Sequence, residues 1–70
     1  MSATGTIVRV IEDRGFGFIR QPNGRDVFFH FRDLDPDLDF NEQLIQLPVS
    51  FEVAQDERGS RAVNVRSSNG

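Results

Sequence analysis

The sequence predicts an all-β fold in which five short antiparallel strands close into one small barrel. Three observations carry that prediction. First, five runs rich in Val, Ile and Phe are separated by clusters of Gly, Pro, Asn and Asp, the punctuation of strands and turns. Second, no stretch repeats its apolar residues at helical spacing; the best helical candidate is one short turn around Arg32 to Leu34. Third, 70 residues are too few for a good two-layer sandwich, whereas closing five strands on themselves removes the exposed edges and leaves a single core.

The elements follow in order. Met1 to Thr4 is small and polar and reads as a frayed start. Gly5 opens strand one, Thr6 to Glu12, whose apolar residues fall in the adjacent pairs Ile7-Val8 and Val10-Ile11 rather than alternating; a bulge, or burial on both faces at one end, would reconcile them. Asp13-Arg14-Gly15 is a turn, and strand two runs from about Phe16 to Gln21. Pro22 followed by Asn23-Gly24 is a strong turn signal before strand three, Asp26 to Phe31. Arg32 to Leu47 is a loop with Asp33, Asp35, Asp37 and Asp39 alternating around Pro36, and Leu44, Ile45 and Leu47 suggest that its second half folds back onto the body. Val49 to Ala54 alternates cleanly as strand four, Gln55 to Ser60 is a turn, and Arg61 to Arg66 is strand five. The whole chain, 1–70, is one domain with its folded body at about 5–66.

Side chains on a strand alternate between faces. Alternation assigns Ile7, Val10, Ile19, Val27, Phe29, Val49, Phe51, Val53, Val63 and Val65 to the core. Phe16, Phe18, Phe28 and His30 are left on the opposite face, with Phe31 at a strand end. Gly15 and Gly17 flank Phe16, and Gly17 separates it from Phe18, as expected where a neighbour packs closely behind the strand. The inverted assignment would expose Ile19, Val27 and Phe29 while burying His30 and Arg20, so the outward reading is preferred. Arg14 and Arg20 bracket strand two and Arg32 follows strand three. Exposed aromatics interleaved with positive charge are what single-stranded nucleic acid needs, each stacked base contributing about 1–3 kcal/mol.

Composition narrows the alternatives. The formal charge of −3 argues against a general electrostatic binder of duplex DNA, whose non-specific affinity comes from neutralising phosphates. All eight positive residues are Arg, a bias that genome composition explains at least as well as function, although Arg does offer planar stacking and forked phosphate contacts. There is no Cys, hence no disulfide, thiolate metal site or thiol nucleophile, and a reducing, cytoplasmic setting is expected. With one His and no Lys, no catalytic constellation is specified and the chain reads as a non-enzyme without cofactor. Asp33, Asp35 and Asp37 have the first spacings of an EF-hand loop, but Leu38 and Leu44 stand where its Gly and Glu belong, so no metal site is assigned. No apolar run is long enough to span a membrane.

At two segments the sequence resembles a known family. Arg14-Gly15-Phe16-Gly17-Phe18-Ile19 is similar to the first RNP motif of the cold-shock domain, usually written Lys-Gly-Phe-Gly-Phe-Ile, and Asp26-Val27-Phe28-Phe29-His30-Phe31 to its second, Asp-Val-Phe-Val-His-Phe. The likeness continues through Val49-Ser50-Phe51-Glu52-Val53 and from Gly59 to Val65, covering about Gly5 to Arg66. It implies a five-stranded antiparallel OB-fold barrel that binds single-stranded RNA and DNA on the face of strands one to three, and an RNA chaperone that keeps weak secondary structure open for transcription and translation. Residue by residue, Phe16, Phe18, Phe28, His30 and Phe31 match the family's stacking residues, and Arg14 its basic residue. Asp26 matches an acceptor for a base edge, Phe40 a loop aromatic that stacks on a further base, and Arg58 a ligand contact in the last turn.

The departures are specific. Where the family has Lys-Trp-Phe in strand one, this chain has Val8-Arg9-Val10, so a stacking Trp is replaced by Arg9, which can stack on a base or contact phosphate. Weaker, more electrostatic binding is expected. The usual Gly before a polar residue ahead of strand four is replaced in Gln46-Leu47-Pro48, which puts the loop path in question. The expected partners are pyrimidine-rich single strands bound by a monomer, with no membrane and no small-molecule substrate. The competing reading is a cold-shock-like barrel used mainly for protein contacts, with nucleic-acid binding weakened by Arg9 and the acidic loop; separately, Leu44, Ile45 and Leu47 offer an interaction surface.

Overall fold

The structure, a computed structural model, describes residues 3–68. Five strands form it: β1 (Ala3–Ile11), β2 (Phe16–Arg20), β3 (Asp26–His30), β4 (Pro48–Asp56) and β5 (Gly59–Ser67). They close into a barrel in the order β1-β2-β3-β5-β4. The pairs β1–β2, β2–β3, β4–β5 and β1–β4 are antiparallel; the seam between β3 and β5 is parallel and joins Phe28 and Phe29 to Arg61 and Ala62. A parallel pair requires a long crossover. The loop after β3 and β4 itself supply it, and the loop carries two 3-10 turns, Phe31–Asp33 and Glu42–Leu44.

The turns behave as their residues dictate. Gly24 takes φ +86° and donates its N–H to Gln21, while the Asn23 side chain accepts from the Arg25 N–H. In the acidic loop, Asp35 accepts the Asp37 N–H on its side chain and donates its own N–H to Val65, which ties the loop to β5. Ahead of β4, Gln46 takes a left-handed φ of 75° and donates its N–H to the Ile7 carbonyl. The chain thus follows a path suited to Gly with Gln in its place.

The core consists of Ile7, Ile19, Val27, Phe29, Leu34, Leu44, Val49, Phe51, Ala62 and Val65. Several expectations are corrected. Val63 is not a core residue; Ala62 takes that place. Between the pairs Ser50↔Arg66 and Glu52↔Val63, β5 holds two residues against one on β4, and Asn64 adopts φ 53°. That bulge reverses the parity of β5, so the inward residues are three apart instead of two. Val53 is 46% exposed and is not a core residue; among the described residues, β4 pairs with β1 as far as Phe51 and continues along β5 to Asp56. Val10 is partly buried against the core. Of the start read as frayed, Ala3 and Thr4 pair with Phe51 and Ser50 in β1, while Met1 and Ser2 lie outside the described residues. Leu44 is buried and Leu47 packs on the core, so of the suggested apolar surface only Ile45 is exposed.

Candidate nucleic-acid interface

The register of β2 and β3 builds the aromatic face. Phe16 sits opposite His30, Phe18 opposite Phe28 and Arg20 opposite Asp26, and their inward neighbours Gly17, Ile19, Val27 and Phe29 are buried. Directly paired residues project to the same side of a sheet. Phe16, Phe18, Phe28 and His30 are therefore half-buried on one outer face, as the alternation predicted. Their rings support one another: Phe16 lies 5.4 Å from Phe28 and 5.9 Å from Phe18, and Phe18 lies 6.2 Å from Phe28, with two of the three contacts edge-on.

The glycines explain why the face holds together. A Cβ on Gly17 would stand 2.5 Å from the Arg9 carbonyl oxygen and 2.7 Å from the Phe29 ring. Only a residue with no side chain lets β1 and the core approach the back of β2 this closely. Gly15 combines φ +76° with a would-be Cβ only 2.8 Å from the Phe31 ring. Its carbonyl accepts the Phe31 N–H at 2.9 Å. Phe31, exposed at the end of β3, is thereby held against the turn that carries Arg14.

A second aromatic group continues from there. Phe31 stacks at 4.7 Å on His30 and lies 6.1 Å from Phe40, while Phe40 meets the core edge-on through Phe29. Phe40 is thus anchored from below and partly open above. The His30 Nδ1 accepts the Arg32 N–H at 3.2 Å, which fixes the ring and leaves Nε2 facing away from that bond. The Arg32 guanidinium lies 5.9 Å from the Phe31 centroid, within cation–π reach.

The charged residues frame the aromatics. Arg9 reaches the face because of the bulge in β1. Ile7 pairs with Ile19 but Arg9 with Phe18, so Val8 is the extra residue and Arg9 turns outward instead of following Ile7 inward. The same shift brings Ile11 opposite Phe16, a position the sequence left unassigned because Val10 and Ile11 are adjacent and both apolar. Arg14 is exposed beside Phe31 and Phe40. Asp26 accepts two hydrogen bonds from Arg20, from Nε at 2.9 Å and from Nη2 at 3.3 Å. Those bonds, with a Coulombic contribution, hold the Asp26 carboxyl below its ordinary value, so it is an ionised acceptor that a base edge would share with Arg20.

On the other side of β3, a cleft of about 450 Å³ is lined by Phe28, His30, Asp56, Arg58, Ser60 and Arg61. It brings Arg58, distant in sequence, beside the platform. Sequence reasoning did not single out Arg61. Its place opposite Phe28 depends on the parallel β3–β5 seam, which no local pattern announces. All ten expected site residues are therefore grouped around the face of β1 to β3 and its two flanks.

Comparison with known proteins agrees with this geometry. Residues 3–68 match the family model described as the 'Cold-shock' DNA-binding domain. The chain belongs to the cold-shock domain family. It is 46% identical over 65 residues to the cold shock-like protein CspG of Shewanella violacea, covering 91% of each chain. It is 41% identical over 66 residues to the cold shock protein CspC of Bacillus subtilis, covering 89% of this chain and 92% of that one. With the cold shock-like protein of Aquifex aeolicus it shares 40% over 67 residues, covering 94% of each. This cold-shock domain is a nucleic-acid-binding barrel in which the outward, half-buried aromatics of β2 and β3 stand beside Arg9 of β1.

Proposed function

We propose that this cold-shock domain binds pyrimidine-rich single-stranded RNA and DNA by stacking successive bases on Phe18, Phe28, His30, Phe31 and Phe40. Phe16 takes part as the ring against which Phe18 and Phe28 rest. Arg9, Arg14 and Arg58 neutralise phosphates or stack on bases at the margins, and Asp26 accepts a hydrogen bond from a base edge. The observation that carries this reading is the outward aromatic cluster of β2 and β3, left half-exposed while Phe29 and Phe51 are fully buried. An apolar patch kept open on a domain with a separate closed core serves a partner. Each stacked base contributes about 1–3 kcal/mol, and stacking tolerates many sequences because every base has a π-face.

Function as an RNA chaperone follows from the same energetics. A strand whose bases lie on the platform is unavailable for pairing, so weak hairpins are held open without any bond being made or broken. The domain acts as a cytoplasmic monomer and catalyses no reaction. Among the described residues, no helix is long and apolar enough to cross a membrane.

A titration with short oligo-dT and oligo-U at two salt concentrations, followed by NMR, tests the proposal. Resonances of Phe16, Phe18, Phe28 and His30 should shift together and saturate. If low-salt titration to millimolar oligonucleotide leaves them unmoved, the proposed interface is wrong.

A further inference from the structure

We propose that Arg61 extends the aromatic face across the β3–β5 seam and contacts an additional nucleotide there, an inference that rests on the binding reading above. Three observations converge on it. The parallel register puts Arg61 directly opposite Phe28, on the same outer face, while its neighbour Ala62 points into the core opposite Phe29. The Arg61 Nε is buried and has no hydrogen-bond partner, and it is the one buried side-chain nitrogen or oxygen so placed among the described residues. Its Nη1 lies 4.0 Å from an Asp56 oxygen, too far for a hydrogen bond. The other Asp56 oxygen is already engaged by the Arg58 N–H at 2.8 Å.

The guanidinium is therefore held loosely, with donor capacity unmet, at the wall of the 450 Å³ cleft that Phe28 and His30 share with it. An unsatisfied buried donor gains most from a partner that arrives with a ligand. Drawn a short way toward the cleft, the planar fork of Arg61 can present adjacent N–H groups to an oxygen-rich edge. Two groups of a nucleic acid supply that chemistry: a phosphate, or the O6/N7 edge of guanine. Stacking on Phe28 supplies affinity for any base, and Arg61 adds a polar contact beside it.

The test compares the intact protein with Arg61→Gln, Arg61→Lys and Phe28→Ala. Each is titrated with hexameric oligo-dT and with the same hexamer carrying one guanine at each position in turn. Arg61→Gln should weaken binding about fivefold or more. If the contact is to phosphate, the loss is uniform across sequences, Arg61→Lys largely restores affinity, and the salt slope of Arg61→Gln falls by about 0.7. If it is to guanine, the loss concentrates on one guanine position and Arg61→Lys does not restore it. The inference is overturned if Arg61→Gln and Arg61→Lys both bind every hexamer as the parent does, with an unchanged salt slope, while Phe28→Ala still weakens binding. If the parent protein itself binds none of the hexamers, the platform reading fails, and this inference fails with it.

Discussion

Phe18 and Phe51 show how the same side chain serves opposite ends on one barrel. Phe51 is fully buried, and its truncation to Ala removes about 3–5 kcal/mol. For a domain of this size, total stability is on the order of 3–10 kcal/mol. Phe18 is half-buried and touches two other rings at 5.9 and 6.2 Å. Its loss should cost less than that of Phe51, roughly 1–3 kcal/mol from partial burial together with the ring contacts. Phe18→Ala and Phe28→Ala are expected to keep a cooperative thermal transition and to weaken oligonucleotide binding by about 1–3 kcal/mol each. Phe51→Ala is expected to lose most or all of the transition. Thermal melts and fluorescence titrations of the three variants check this, and a collapse of the Phe18 variant comparable to that of Phe51 would mean the outer rings belong to the core.

The elements are shaped by two bulges and one loop. The Val8 bulge turns Arg9 onto the aromatic face, and the bulge at Asn64 sends Val63 outward and Ala62 inward. Asn suits its site: it tolerates the left-handed region and here donates from Nδ2 to Glu52 at 2.9 Å. Gln46 suits its own site less well. Its φ of 75° disfavours a Cβ, and neither a side-chain hydrogen bond nor burial compensates among the described residues. A non-glycine residue in that region costs roughly 1–2 kcal/mol. Gly there would relieve the strain while adding about 0.4–1 kcal/mol of unfolded-state entropy. Gln46→Gly is therefore expected to stabilise the domain by up to about 1 kcal/mol. Urea denaturation reads the change as a higher midpoint at unchanged slope, and a lower midpoint would refute it.

On the scale of the whole molecule, a local basic rim stands against a net negative charge, with Asp26 and Asp56 also bordering the aromatic face. The chain carries −3 overall, yet Arg9, Arg14, Arg58 and Arg61 stand around the aromatic platform while Asp33 to Asp39 occupy the loop after β3. Steering and affinity should therefore depend on a local basic rim and remain modest. With two or three phosphates neutralised, log Kd should rise with log salt at a slope of about 1.5–2. Arg9→Trp should exchange a charge for a stacking ring, raising affinity and reducing that slope by about 0.7. Equilibrium titrations between low and physiological salt measure both, and a slope unaffected by Arg9→Trp would show that Arg9 stacks without reaching phosphate.

The number of strands, their order along the chain, the β2–β3 hairpin and the aromatic face were legible in the sequence because they are local. Alternation over five residues, a Pro-Asn-Gly turn and glycines between phenylalanines act between near neighbours. The RNP-like runs, repeated on adjacent strands, made the site legible for the same reason. Tertiary structure decided the rest. Which strand closes the barrel on β3, where an extra residue reverses the parity of β1 and β5, and which side of the barrel Arg58 and Arg61 reach all depend on pairings between distant segments. Those pairings are set by closure of the barrel around one core, where every strand must satisfy two neighbours at once. No periodicity within a single strand encodes that condition.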